Sequence, residues 1–224
     1  MNLHHHNRLL FNHKKIKNSE IRENHFIRKK PPVTYIVQVG ILSAISIVLY
    51  YFKFQLPFFP SFLSVQFSML PALIASFSLG PVGGMLVVII KFLFKVVSTR
   101  SAAIGEIADL TIGLSVVFTT GLIYSFKRTR KGALISILFG IVVWCAVGVL
   151  MNYFVLIPAY VKIYGLKPVL GLLKKLPGVN ESNYLGKYIL YACLPFNLML
   201  SFVVFIVTLL LYKRISFVFE KMEK

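Results

Sequence analysis

Apolar residues in this chain fall in blocks, and basic or turn-forming stretches separate one block from the next. The blocks predict helices over 34–52, 63–79, 82–98, 104–124, 132–163 and 187–213. A bilayer crossing takes about 20 mostly apolar residues. The pattern therefore predicts an all-α, polytopic membrane protein with six transmembrane helices. An outer-membrane barrel would need alternating polarity, which the blocks do not have. "LGPVGG" reads as a minimal turn between the second and third helices, and "SFKRTRKG" separates the fourth from the fifth. The expected organisation is a basic N-terminal tail (1–33), a six-helix membrane domain (34–213) and a short basic C-terminal tail (214–224). The fifth helix would be about 46 Å long at 1.5 Å per residue. That exceeds a hydrocarbon core of about 30 Å, so it must tilt, bend at Pro158 or project outward.

Composition strengthens this picture. Of the 224 residues 57% are hydrophobic and 14% charged, with mean hydropathy +0.77. A soluble domain carries about a quarter charged residues. Lys and Arg number 25 against 7 Asp and Glu. The first 30 residues are polar and basic and lack the apolar core of a signal peptide. Such a tail could bind nucleic acid, but ahead of a membrane span it reads as a cytoplasmic anchor facing anionic lipid. All five histidines lie in it, where three adjacent imidazoles make a poor metal site. An even number of spans puts both termini on the side of the KRTRK loop, which the positive-inside rule assigns to the cytoplasm. The outside then receives 53–62, 98–103 and 164–186, the last with Lys167, Lys174 and Lys175 against the rule. Cys145 and Cys193 sit in apolar runs without a CxxC and read as reduced packing thiols.

Polar groups within the spans mark the candidate site, because they are costly in lipid and face the bundle interior. Glu106 and Asp109 share one face of the fourth helix, and Lys91 and Lys95 share one face of the third. Asn152 and Asn197 lie in the outer parts of the fifth and sixth. All six fall in the outer half, which suggests an outward-opening pocket. Plainer roles stand beside this one. The lysines could pair with the carboxylates as a link between helices, or snorkel. The asparagines could be interhelical glue worth about 0.6 to 2 kcal/mol each. Trp144 reads as packing. Gly40 and Ala44 give the first helix a small-xxx-small face, for packing inside the bundle or for docking another subunit. No GxxxxGK[ST], GxSG, HExxH or histidine occurs in a span, so neither a P-loop ATPase nor the common intramembrane hydrolases fit.

Together "LPFFPSFLSVQFSMLPALIASFSLGPVGG", "GEIADLTIG", "KGALISILFGIVV", "LMNYFVLIPAY" and "LPFNLML" resemble the riboflavin-specific substrate-binding S components of energy-coupling factor (ECF) transporters. The likeness runs from about residue 34 to 213. It implies a non-enzymatic, cofactor-free and metal-free protein of the bacterial cytoplasmic membrane that captures a flavin from outside. A T component and two ATP-binding subunits would drive import, and no nucleic acid is expected as a partner. Gly40 and Ala44 occupy the place of the family's docking motif. Asn152 and Asn197 match its ligand-binding asparagines, and the proline-rich loop would close over the ligand with Phe58, Phe59 and Leu63. Glu106, Asp109, Lys91 and Tyr160 complete the expected substrate-binding set. The chain also differs from the family pattern: Leu200 stands for a common Lys, Gln66 and Met69 for two carboxylates, Val88 and Phe92 for a Glu and an Asn, and Asp109 for an Asn. A related flavin nucleotide or another vitamin is thus a second ligand reading, and a small enzyme using Glu106 and Asp109 as acid and base a third.

Overall fold

Helix formation here follows the apolar blocks, while prolines and glycines set where each helix stops. The structure is a computed structural model describing residues 32–97, 103–126 and 128–221. The histidines and nearly all of the basic tail lie outside those residues. The described residues from Ile36 onward pack as one unit.

Helix α1 (Pro32–Tyr51) leads into a two-stranded antiparallel hairpin, β1 (Lys53–Gln55) and β2 (Ser64–Gln66). Helices α2 (Met69–Leu79), α3 (Pro81–Val97) and α4 (Ile104–Phe126) follow. Helix α5 (Arg130–Met151) then runs through a π-helical turn, π1 (Asn152–Leu156), into α6 (Ile157–Tyr164). After α7 (Leu166–Leu173), helix α8 (Tyr184–Tyr188) passes through a second π turn, π2 (Ile189–Cys193), into α9 (Leu194–Lys221).

The all-helical class stands. Among the described residues, four helical stretches are long and apolar enough to cross a membrane: Val33–Tyr51, Ile104–Phe126, Lys131–Tyr164 and Tyr184–Leu211. The second expected span is corrected. Residues 63–68 are not helical, because Ser64–Gln66 pair with Gln55–Lys53, and the helix begins only at Met69. Pro71 does not disturb it, since the first-turn N–H groups have no partner within a helix. The sixth expected span also differs: helix begins at Tyr184 and continues to Lys221, past the boundary at 213.

Helix α2 is short because it is the core: Met69 through Phe77 are all buried, against α3, α4 and α9. Its Ser76 hydroxyl donates to Val117 O of α4 at 2.7 Å. Gly80, at φ +88°, makes the turn between α2 and α3, and Pro81 opens α3 where its missing N–H costs nothing.

For the fifth span the expectations are tilt, a bend at Pro158 or outward projection, and near Pro158 the structure has the π turn π1. Proline has no N–H to give to the carbonyl four residues back. One residue earlier the ladder has already shifted, with Ile157 N–H donating to Asn152 O. Pro195 has the same effect after π2, where Leu194 N–H donates to Ile189 O. The two π turns lie against each other.

Candidate ligand-binding site

The site is built where the π turns meet the hairpin. Asn152 opens π1, and its side chain is held on both sides. Its Oδ1 accepts from the Tyr188 hydroxyl at 2.6 Å, and its Nδ2 donates to Gly148 O at 2.7 Å. Asn197 lies one turn beyond π2. Its Oδ1 accepts from Trp144 Nε1 at 3.2 Å, and its Nδ2 donates to Cys193 O at 2.8 Å. A primary amide offers two N–H donors and two carbonyl lone pairs. Each asparagine is thus fixed in orientation through both its oxygen and its nitrogen. Asn197 Nδ2 also donates to Cys193 Sγ at 3.5 Å, while Asn152 keeps capacity of both kinds and Asn197 a carbonyl lone pair. Gly148 lets the two amides converge, since a Cβ there would lie 2.9 Å from Asn197 Oδ1.

Both amides open into a cavity of about 150 Å³, whose walls include Met69, Ile112, Trp144, Leu156, Phe196 and Leu200. A second chamber of about 490 Å³ adjoins it, walled by Tyr50, Lys53, Gln55, Ser61, Lys95 and Glu106. Phe62, Ser64, Gln66, Gly105, Asp109 and Tyr160 line both, forming the throat between them. Ligand pockets commonly measure about 300–1,000 Å³, and the two chambers together fall in that range.

The proline-rich loop closes the hairpin over this space. Pro57 is the second residue of a turn in which Phe59 N–H donates to Leu56 O at 3.2 Å. A following turn has Leu63 N–H donating to Pro60 O at 2.9 Å. Phe59 packs on Phe196 with centroids 5.3 Å apart, and Phe62 packs on Tyr160 and Tyr188 at 5.9 and 5.5 Å. Lys175, from the segment after α7, donates to Pro57 O at 3.1 Å.

The structure therefore brings Asn152, Asn197, Leu63 and Tyr160 to the inner cavity, Glu106 to the outer chamber and Asp109 to the throat. Three expected residues lie elsewhere. Phe58 is 83% exposed on the far side of its turn, and Phe62 stands at the throat instead. Phe59 covers Phe196 without lining either chamber. Lys91 is fully buried behind the wall, with Nζ 3.0 Å from Asp109 Oδ2, and Lys95 reaches the same oxygen at 2.7 Å. The two lysines thus tie α3 to α4, and Lys95 also lies over the Tyr50 ring at 4.3 Å. Gly40 and Ala44 face outward on α1 and line neither chamber. Val88 is buried in α3, outside the lining.

Reasoning from sequence missed Tyr188, Gly148 and the polar role of Trp144. A readable signal did exist for two of them: Trp144, Gly148 and Asn152 recur at i, i+4, i+8, one stripe running from α5 into π1. A buried indole N–H also demands an acceptor. Tyr188 carried no local sign.

A bundle of apolar helices whose polar groups converge on a cavity beneath a hairpin defines a membrane-embedded ligand-binding protein. The chain belongs to the family described as "ECF transporter, substrate-specific component", which matches residues 34–212. That family is a transporter's binding component and not an enzyme. The chain is 33% identical over 181 residues to the Riboflavin transporter RibU of Staphylococcus aureus (strain TCH60), covering 81% of this chain and 89% of that one. It is 27% identical over 187 residues to the Riboflavin transporter FmnP of Bacillus subtilis (strain 168), covering 82% and 93%. Its fold matches the structure titled "Structure and mechanism of the S component of a bacterial ECF transporter" with TM-score 0.65, 29% identity, and coverage of 83% and 97%.

Proposed function

We propose that this chain is the riboflavin-binding S component of an ECF-type uptake transporter in the bacterial cytoplasmic membrane. The observation that carries the proposal is the pair of pre-oriented amides in a cavity walled largely by aromatic and aliphatic side chains. An isoalloxazine ring has two flat apolar faces and one edge of alternating C=O and N–H groups. Asn152 and Asn197 can meet both kinds of group on that edge, while Phe62, Leu63, Tyr160, Phe196 and Leu200 cover the faces. The names of the relatives agree with this ligand.

The membrane domain crosses the bilayer six times, counting as spans α3 and the short α2, which the other helices shelter. Residues 1–33 and 214–224 lie in the cytoplasm beside the KRTRK loop, and the hairpin faces outside. The exposed face of α1 around Gly40 and Ala44 docks the T component, to which two ATP-binding subunits supply energy. Glu106, Asp109 and Lys91 shape the wall electrostatically.

The test is to purify the chain in detergent, record its absorbance and titrate it with riboflavin. Co-purified flavin, with its blue and near-ultraviolet bands, is the expected result. Replacing Asn152 or Asn197 with Leu leaves ring-edge groups unpaired and weakens binding about 5- to 150-fold. Riboflavin affinity unmoved by both changes overturns the proposal.

A further inference from the structure

The hairpin is more than a cover, because one of its faces is wholly polar and forms a chamber wall. Lys53 pairs with Gln66, and Gln55 with Ser64. All four side chains line the outer chamber. The intervening pair, Phe54 and Val65, falls on the opposite face by strand alternation, with Val65 in the core. Gln66 and Ser64 also reach the throat. There the Gln66 Oε1 is buried without a hydrogen-bond partner. A buried acceptor left unsatisfied carries a desolvation cost, so such a group calls for a partner the protein does not itself supply.

We propose that Gln66, at the head of this polar face, reads the hydroxylated side chain of the ligand as it leaves the inner cavity. This rests on the flavin reading above. With the ring edge on Asn152 and Asn197, the ring's substituent can pass Gln66 into the larger chamber, whose lining the inner cavity shares at Gln66 and Ser64. A polyol fits that path, since each hydroxyl donates one hydrogen bond and accepts others. Oε1 of Gln66 accepts from the first hydroxyl at the throat, and Ser64 and Gln55 serve the hydroxyls beyond it. Gln66 is thus a specificity-determining residue for the ligand's tail and not for its ring.

Two flavins separate the possibilities: riboflavin, and lumiflavin, which has the same ring with a methyl in place of the polyol. The full chain, freed of flavin, is titrated with each by fluorescence quenching, beside Gln66→Met, Gln66→Glu and Asn197→Leu. Gln66→Met should weaken riboflavin about tenfold and leave lumiflavin within about twofold, as for one lost hydrogen bond. Retained lumiflavin binding also shows that the variant is folded, and Gln66→Ala serves if Gln66→Met is not. Gln66→Glu, which keeps an acceptor at that position, should stay near the parent for both. Asn197→Leu should weaken both flavins in parallel. Equal losses for the two flavins in Gln66→Met, or no loss of riboflavin, overturn the role of Gln66 while leaving the flavin site standing. If Asn197→Leu moves neither flavin, the site assignment itself has failed.

Discussion

At the scale of single residues, the site depends on side chains that hold other side chains. Asn152 and Asn197 would otherwise sample several rotamers, and ordering them on binding costs roughly 0.5–1.5 kcal/mol per side chain. Tyr188 and Trp144 remove much of that cost by fixing each amide in advance. Gly148 is the residue on which both amides depend. Its carbonyl accepts from Asn152, and its missing Cβ leaves room for Asn197. Gly148→Ala should therefore act on binding more than on folding, since alanine favours the helix while its methyl displaces the amide. We expect riboflavin affinity to fall at least about tenfold with little change in thermal unfolding. An affinity like the parent's would mean that Asn197 does not set the ring position.

At the scale of elements, two features give the molecule a closable chamber. Prolines shift the helix ladders into π turns at the places where the asparagines must project inward. Prolines also stiffen the hairpin loop, where Pro57 presets a turn and Pro60 is buried. Replacing Pro57 or Pro60 with Ala enlarges the ensemble of the open loop, and that ensemble must be ordered again on closure. Riboflavin should then dissociate about two- to fivefold faster per substitution, with the association rate less affected. Stopped-flow release measurements check this, and unchanged release would show that the loop does not govern escape. The ionic knot of Lys91, Lys95 and Asp109 has a different task. It fastens α3 to α4 at the chamber wall, with Lys91 behind it, where a lone charge would be costly.

At the scale of the whole molecule, the proposed function assigns binding and energy supply to different chains. No P-loop sequence is present, and on the proposed function uphill uptake draws on partner subunits. In that proposal helix α1 offers the surface for them. Val37, Gly40, Ile41, Ala44, Ile45 and Val48 are all exposed along it. A Cβ on Gly40 would meet nothing within 4 Å, so Gly40→Leu should leave fold and riboflavin affinity unchanged. It should nevertheless block close approach of another helix and abolish ATP-driven uptake in cells carrying the partner subunits. Undiminished uptake would move the docking surface elsewhere.

Hydrophobicity is a local property, and what depends on it was legible in the sequence. The apolar blocks marked the long helices, Gly80–Pro81 marked the turn between α2 and α3, and buried polarity singled out Asn152, Asn197 and Asp109. The lysine–carboxylate link between the third and fourth helices was one of the readings that spacing permitted, and Asp109 is its acceptor. What only the tertiary structure decided involves partners far apart in the chain. Tyr188 reaches Asn152 across 36 residues, and Trp144 reaches Asn197 across 53. No periodicity encodes such a pair, because each residue alone is compatible with plain packing. The start of α2 was hidden for a related reason. Leu63–Phe67 alternates apolar and polar residues, but so short a run ahead of an apolar block also reads as a helix start, and pairing with Lys53–Gln55 makes Ser64–Gln66 a strand. That pairing also turns Ser64 and Gln66 toward the chambers, and the turns before it place Phe62 at the throat and leave Phe58 outside. Composition sets which segments leave water, but the closing of the hairpin on the π turns sets which side chains meet.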